Sequence, residues 1–215
     1  IPTFEDMFAQ LGTELPTLTR IVMSSSRFLI ERWYLFAAVI VGLTFGIRAF
    51  AASDTGKHMF GRLAMKVPLI GKVTVKGASS RFARTLSTLL AAGIPLIQSL
   101  DITAGTMTNI WFREALLDAK DDVSMGSTLS EPLGKGKLFP PLVHHMLKIG
   151  EESGNAEHML TKLADYYDEE VEMATQTLMA AMEPLIIVVL AAVVGTIVIS
   201  IVLPMAQMYV GLDSL

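Results

Sequence analysis

Residues Leu185–Leu203 read LIIVVLAAVVGTIVISIVL, and they lie within a run from Pro184 to Leu212 that holds no charged residue. Nineteen residues at the helical rise reach roughly 28 Å, close to the ~30 Å hydrocarbon core of a bilayer. A soluble core helix seldom goes so long without a charge, and a chain of 215 residues is too small to bury such a helix on every side. The stretch therefore predicts a transmembrane helix over 184–204. Pro184 is expected in its first turn and Pro204 just past its end. A second candidate, Trp33–Ala52 (WYLFAAVIVGLTFGIRAFAA), places Trp33 and Tyr34 where amphipathic aromatics meet headgroups, with Arg48 near enough to the far end to snorkel.

The two runs divide the chain into an outer segment 1–32, a span 33–52, a domain 53–183, a second span 184–204 and a tail 205–215. Arg20, Arg27 and Arg32 precede the first span; Arg48, Lys57, Arg62, Lys66, Lys72 and Lys76 close and follow it. The positive-inside rule then puts 53–183 in the cytoplasm and both chain ends outside. Ile1 in place of Met indicates a processed or trimmed start, with chain preceding it.

Composition agrees with a membrane protein: 52% hydrophobic, 18% charged, mean hydropathy +0.51. These values exclude a disordered or linker-like chain. With no cysteine, disulfide scaffolds, thiolate metal sites and cysteine catalysis are excluded too. A net charge of −4 gives no general field for nucleic acid. Charge is uneven, however. Residues 53–84 hold seven Lys and Arg against one acid, a flank suited to anionic headgroups or to plain topology, and 151–183 hold one base against nine acids.

Between the spans the period is helical. Phe82, Leu86, Leu89 and Leu90 share a face, Gly93 offers a left-handed stop, and Pro95 opens the next helix, with Leu96, Leu100 and Thr103. Trp111–Val123 forms a third, Gly126 breaks it, and Ser127 caps a short turn through Leu133. Gly134–Lys137 reads as a loop, Pro141 starts another helix, and Gly150–Gly154 reads as a turn. Asn155 caps a last helix whose stripe is Leu160, Leu163, Ala164, Tyr167 and Val171, running on toward Glu183. Lys72–Lys76 alternates like a strand, but five residues alone form no sheet. The expected fold is an all-α membrane protein: an antiparallel cytoplasmic helical bundle between two transmembrane helices.

Chemical motifs are absent. Gly134–Lys137 lacks the Walker spacing, Gly150-x-x-Ser153-Gly154 is not a nucleophile elbow, and His144 and His145 diverge by about 100° on a helix. Neither a catalytic site, a metal site nor a cofactor is predicted. What remains are surfaces. Asp165, Asp168, Glu169 and Glu172 share a helix face at spacings where like charges repel, so the face is either solvated or met by something positive, a basic partner or a weakly held divalent cation. Glu151 and Glu152 stand near the start of the last helix, whose dipole favours anions. Glu183, beside Pro184 at the membrane entry, faces protein or headgroups. Gly42-x-x-x-Gly46 and Ala191-x-x-x-Gly195 are small-residue seams for helix contact within or between chains.

Three blocks, FARTLSTLLAAGIPLIQSL (82–100), FPPLVHHMLKIGEESGNAEHMLTKLADYYDEEVE (139–172) and EPLIIVVLAAVVGTIVISIVLPMAQM (183–208), resemble in order and spacing the F-family inner-membrane platform proteins of type II secretion, also the type IV pilus assembly C proteins. PTFEDMFAQLGTELPTLTRIVMSSSRF (2–28) is similar to that family's loop between its first and second spans. Members carry two cytoplasmic domains and three spans, whereas this chain holds the second domain and two spans. Ala156 replaces a common leucine and Ser99 a common alanine. The resemblance implies a non-enzymatic platform in the bacterial inner membrane. It would couple a cytoplasmic hexameric assembly ATPase to pilin or pseudopilin subunits entering a filament, contact other inner-membrane assembly proteins and form homo-oligomers. By position it marks Gly93, Pro95, Gly150, Glu151, Gly154, Glu183 and Pro184. The competing readings are a transporter or channel subunit and a membrane-bound enzyme. A transporter asks for more spans and polar midplane groups than Val193, Val194, Gly195 and Thr196 supply.

Overall fold

The computed structural model of the chain describes Arg20, Ser24, Phe28 and residues 30–212. Most of the expected outer segment, and residues 213–215 of the tail, lie outside the described residues. Eight helices follow one another, with no strand among the described residues: α1 (Trp33–Ala52), α2 (Asp54–Lys66), α3 (Pro68–Ala91), α4 (Leu96–Thr106), α5 (Ile110–Ser124), α6 (Ser130–Lys135), α7 (Pro141–Ser153) and α8 (Ala156–Leu212). The described chain divides into two compact units. One holds residues up to Arg48 with those from Ala181 onward, the other Ala49–Ala180.

Local chemistry sets most boundaries. Ser53 caps α2 by accepting the Gly56 N–H, with Asp54 in the first turn and Lys66 in the last, each at its favoured end of the helix dipole. Val67 is extended, as a residue before proline prefers, and Pro68 opens α3. The alternating Lys72–Lys76 lies inside α3. No strand pairs with it, and Gly71, Ser79, Phe82, Ala83 and Leu86 are the buried face of a helix. α3 ends at Gly93, φ 77°, where the Gly93 and Ile94 N–H groups reach the carbonyls of Leu90 and Leu89. Pro95 stands immediately before α4. The same pair of bonds closes α5 at Gly126 and α7 at Gly154.

Three local expectations change. The helix α7 continues through Gly150 to Ser153, so the turn before α8 is only Gly154 and Asn155. α6 extends to Lys135, so the loop starts at Gly136. Leu129, not Ser127, holds the N-cap position of α6.

The core of Ala49–Ala180 draws on α3 to α8. Phe82 and Leu86, Leu100, Phe112 and Leu116, Val143 and Leu147, and Leu160 and Leu163 are all within 2% of full burial. Phe139, from the loop before α7, sits between two of them, 5.2 Å from the Phe82 ring and 5.0 Å from Phe112. Such contacts are worth about 0.5–1.5 kcal/mol each beyond area burial. Buried Ser79 and Thr103 return their hydroxyls to their own helices, at the carbonyls of Val75 and Ser99, and buried Ser99 donates to the Ile94 carbonyl just before α4, so these small polar side chains carry no orphaned donors.

The apolar helices are the inverse of this core. No residue of α1 is buried, and Val188 and Leu190 of α8 are 67% and 60% exposed. Two helices long and apolar enough to cross a membrane are therefore present. Three of their hydroxyls find acceptors within the helix: Thr44 donates to the Val41 carbonyl, Thr196 to Ala192 and Ser200 to Thr196. A Cβ added at Gly42, Gly46 or Gly195 meets nothing within 4 Å, so these seams are not filled by the described chain. Pro184 is not in a first turn. It lies in the interior of the 57-residue α8, where its missing N–H leaves the Ala180 carbonyl without the usual helical donor.

Candidate partner-binding surface

α3 presents Lys76, Ser80 and Arg84 at four-residue spacing, one stripe down a helix face. α8 meets it with its acids. The Arg84 guanidinium donates to Asp165 Oδ1 at 2.7 Å and to Asp168 Oδ2 at 2.6 Å, the Ser80 hydroxyl donates to Asp168, and Lys76 pairs with Glu170. The positive group that the acidic face requires is thus supplied by the chain itself. Along this seam the partners run in opposite chain order.

The charges respond accordingly. Hydrogen bonds to Asp168 and then Asp165 raise the Arg84 guanidinium above its ordinary value. Partial burial works to raise the Asp168 carboxyl, but the Ser80 hydroxyl and Arg84 outweigh it and hold that carboxyl below its usual value. Beneath the seam Tyr167 is buried, and desolvation, aided by Tyr166 and Glu170, pushes its phenol up to about 12. Glu169 and Glu172 stay exposed; Glu172 accepts from Gln176 at 3.4 Å.

A second cluster forms where α7 turns into α8. A Cβ on Gly150 would stand 2.9 Å from Ala156 Cα, so glycine lets the two helices meet, and Ala156 fits where a larger side chain is common in the family resembled above. Glu151 lies at the C-terminal end of α7, not at the start of α8, and its carboxylate accepts the Leu129 and Ser130 N–H groups. It therefore caps α6, a short helix whose N-cap residue, Leu129, offers no side-chain cap. Glu152 points outward and reaches Lys148 at 3.9 Å. Nearby, His144 Nδ1 lies 2.7 Å from the Ser130 carbonyl, which can only accept, so that nitrogen carries the proton.

Gly93 and Pro95 form the α3–α4 corner, and no hydrogen bond or ion pair among the described residues joins them to either cluster. Glu183 and Pro184 are exposed on α8. The sequence reading missed the α3 stripe and the α2 dock, in which Asn109 Nδ2 donates to the Gly61 carbonyl and Trp111 Nε1 to that of His58. The signal for the first was available: bases and serine every fourth residue in 76–84, opposite in sign to 165–170.

Comparison with known proteins bears on the same region. Residues 82–204 match the family of the type II secretion system (T2SS), protein F. The chain is 39% identical over 214 residues to the type IV pilus assembly protein PilC of Pseudomonas aeruginosa, covering 97% of this chain and 56% of that protein. It is 37% identical over 206 residues to PilC of Thermus thermophilus (95% and 51%), and 31% identical over 209 residues to the type II secretion system protein F of Vibrio cholerae (97% and 51%). The chain spans about half the length of these curated relatives. Arg84 with its acidic partners, the Glu151 cluster and Leu185–Leu203 fall inside the matched region, Lys76 and Ser80 just before it, and the chain belongs to the type II secretion system protein F family.

Proposed function

We propose that the chain acts as a non-enzymatic inner-membrane platform of a type II secretion or type IV pilus machine, coupling a cytoplasmic assembly ATPase to insertion of pilin or pseudopilin subunits. The observation that carries this reading is α8: one helix of 57 residues whose first part bears the acidic seam and whose later part is charge-free and lipid-like. On this reading 33–52 and 184–204 cross the membrane, 53–183 is a cytoplasmic bundle, and 1–32 and 205–215 lie outside. The opposite chain order of the α3–α8 pairs supports an antiparallel arrangement of those two helices. The relatives, two type IV pilus assembly proteins and a type II secretion system protein F, support the machine. Arg84 occupies Asp165 and Asp168 and Glu151 caps α6, so Glu152, Glu169, Glu172 and Glu183 are the candidate acids left for a basic partner surface.

Affinity purification of the detergent-solubilised protein, from cells that also make the machine's ATPase, tests the role. The wild type retains the ATPase and self-associates, and Glu169→Lys/Glu172→Lys retains at least tenfold less ATPase at equal yield. A membrane-inserted wild type that retains none overturns the reading.

A further inference from the structure

Lys57 and Arg81 of the basic stretch 53–84, unlike Lys76 and Arg84, take no part in the α3–α8 seam, and they border a groove of about 760 Å³ formed mainly by α2, α3 and the start of α5. Lys57, Arg81 and Arg113 line this groove, and no acidic side chain among the described residues does. Arg113 is exposed and pairs with no carboxylate among the described residues. Lys57 reaches only Asp54, at 3.3 Å, and that carboxylate is 95% exposed, so solvent screens the pair. Arg81 commits one terminal nitrogen to the Thr106 carbonyl and the Thr108 hydroxyl, which leaves its other N–H donors for a ligand.

Apart from Thr74, Thr108 and Asn109, the rest of the lining is glycine or apolar, Phe60 and Ala51 included. Ala51 belongs to the last turn of α1, the end of the first apolar helix. A wall that combines uncompensated cations with hydrocarbon, at the point where a membrane helix ends, matches a ligand that is both anionic and greasy. Free phosphate uses only the cations; a zwitterionic lipid carries its own positive charge into them.

We propose that this groove binds the headgroup of an anionic phospholipid of the inner leaflet, its phosphate between Arg81 and Arg113, Lys57 on the headgroup's outer oxygens, and an acyl chain along Phe60. The site would hold the α2–α3 hairpin against the membrane surface. This inference rests on the reading that α1 crosses the membrane with residue 53 onward on the cytoplasmic side.

The purified full chain in nanodiscs, titrated with phosphatidylglycerol, phosphatidylcholine or glycerol 3-phosphate and read by native mass spectrometry, tests it. Wild type keeps one phosphatidylglycerol at least tenfold more tightly than phosphatidylcholine. Arg113→Glu and Lys57→Glu each lose about tenfold, and Lys137→Glu, an exposed cation outside the groove, behaves as wild type. Arg113→Gln, a milder change, shows the same direction and serves if circular dichroism finds Arg113→Glu unfolded. Equal retention of both lipids, or no loss in the Arg113 variants, overturns the site. Displacement of phosphatidylglycerol by equimolar glycerol 3-phosphate identifies a free-phosphate site and overturns the lipid. Alkaline carbonate extraction separates the two levels: release of wild type from membranes sinks the span reading, and retained protein without charge-dependent lipid binding sinks the groove alone.

Discussion

Asp165 and Asp168 lie one turn apart on α8, where two carboxylates repel, and Arg84 reaches both. All three side chains are about half exposed, so the stabilisation is that of a surface network. Arg84→Ala should cost about 1 kcal/mol in urea melts of the solubilised chain, and a cycle with Asp168→Asn should show positive coupling. No coupling would mean that solvent already screens the seam. The pH dependence follows from the directions of the shifts. The folded Asp168 carboxyl sits below the ordinary value of 3.8, so the unfolded chain takes the proton first. That stabilisation is complete above 3.8 and is lost as the pH falls through the folded value. Tyr167 behaves in the opposite sense. Its folded value of about 12 exceeds the ordinary 10.0, so its contribution is complete below 10.0 and disappears as the pH rises toward about 12. Tyr167→Phe should flatten the loss of stability across that alkaline window; an unchanged slope would assign the loss to other groups.

At the scale of elements, the α7–α8 corner rests on two glycines with different roles. Gly154 has φ 69°, a left-handed conformation, and Gly154→Ala should cost about 1 kcal/mol. Gly150 has ordinary helical φ but no room: its added Cβ meets backbone at 2.9 Å, so Gly150→Ala forces the helices apart at about 1–3 kcal/mol. Gly105, in α4 with open space around it, is the contrast, and Gly105→Ala should stabilise by about 0.5–1 kcal/mol. Thermal melts of the three variants rank these effects, and a neutral Gly150→Ala would show that α8 is not tightly seated on α7. Glu151 adds a link to a third element, since the same corner caps α6.

At the scale of the whole molecule the continuity of α8 is what the proposed role uses. A helix transmits displacement or rotation while it stays one continuous rod, and α8 runs on through Pro184 despite the one hydrogen bond missing at Ala180. Thr177 lies between the acidic seam and the apolar stretch, and its hydroxyl returns to the Met173 carbonyl within the same helix. Inserting two or three flexible glycines beside Thr177 should abolish filament assembly in cells while membrane levels of the protein stay normal. Normal assembly would refute transmission through α8 and leave a purely scaffolding platform.

What was legible in the sequence are features whose physics is complete within a few turns. A charge-free run of apolar residues long enough to cross a membrane is recognisable by composition alone. Gly93 and the stripe Leu160, Leu163, Ala164 and Tyr167 likewise carry their own conformational and periodic signals. α2 was not legible because its two glycines and scattered cations blur the period, and Asn109 and Trp111, which dock it, are some fifty residues away. Nor was the partner of Asp165 and Asp168, because Arg84 is more than eighty residues distant along the chain. Glu151 reads equally well as an anion for the helix that follows it, yet it serves one that precedes it by about twenty residues. The sequence by itself determined the helical class and the two stretches able to live in lipid, since propensity, periodicity and hydropathy act locally. Only the tertiary structure decided which charges are already spent and which remain open, because a salt bridge between distant residues exists only once packing has brought their helices side by side.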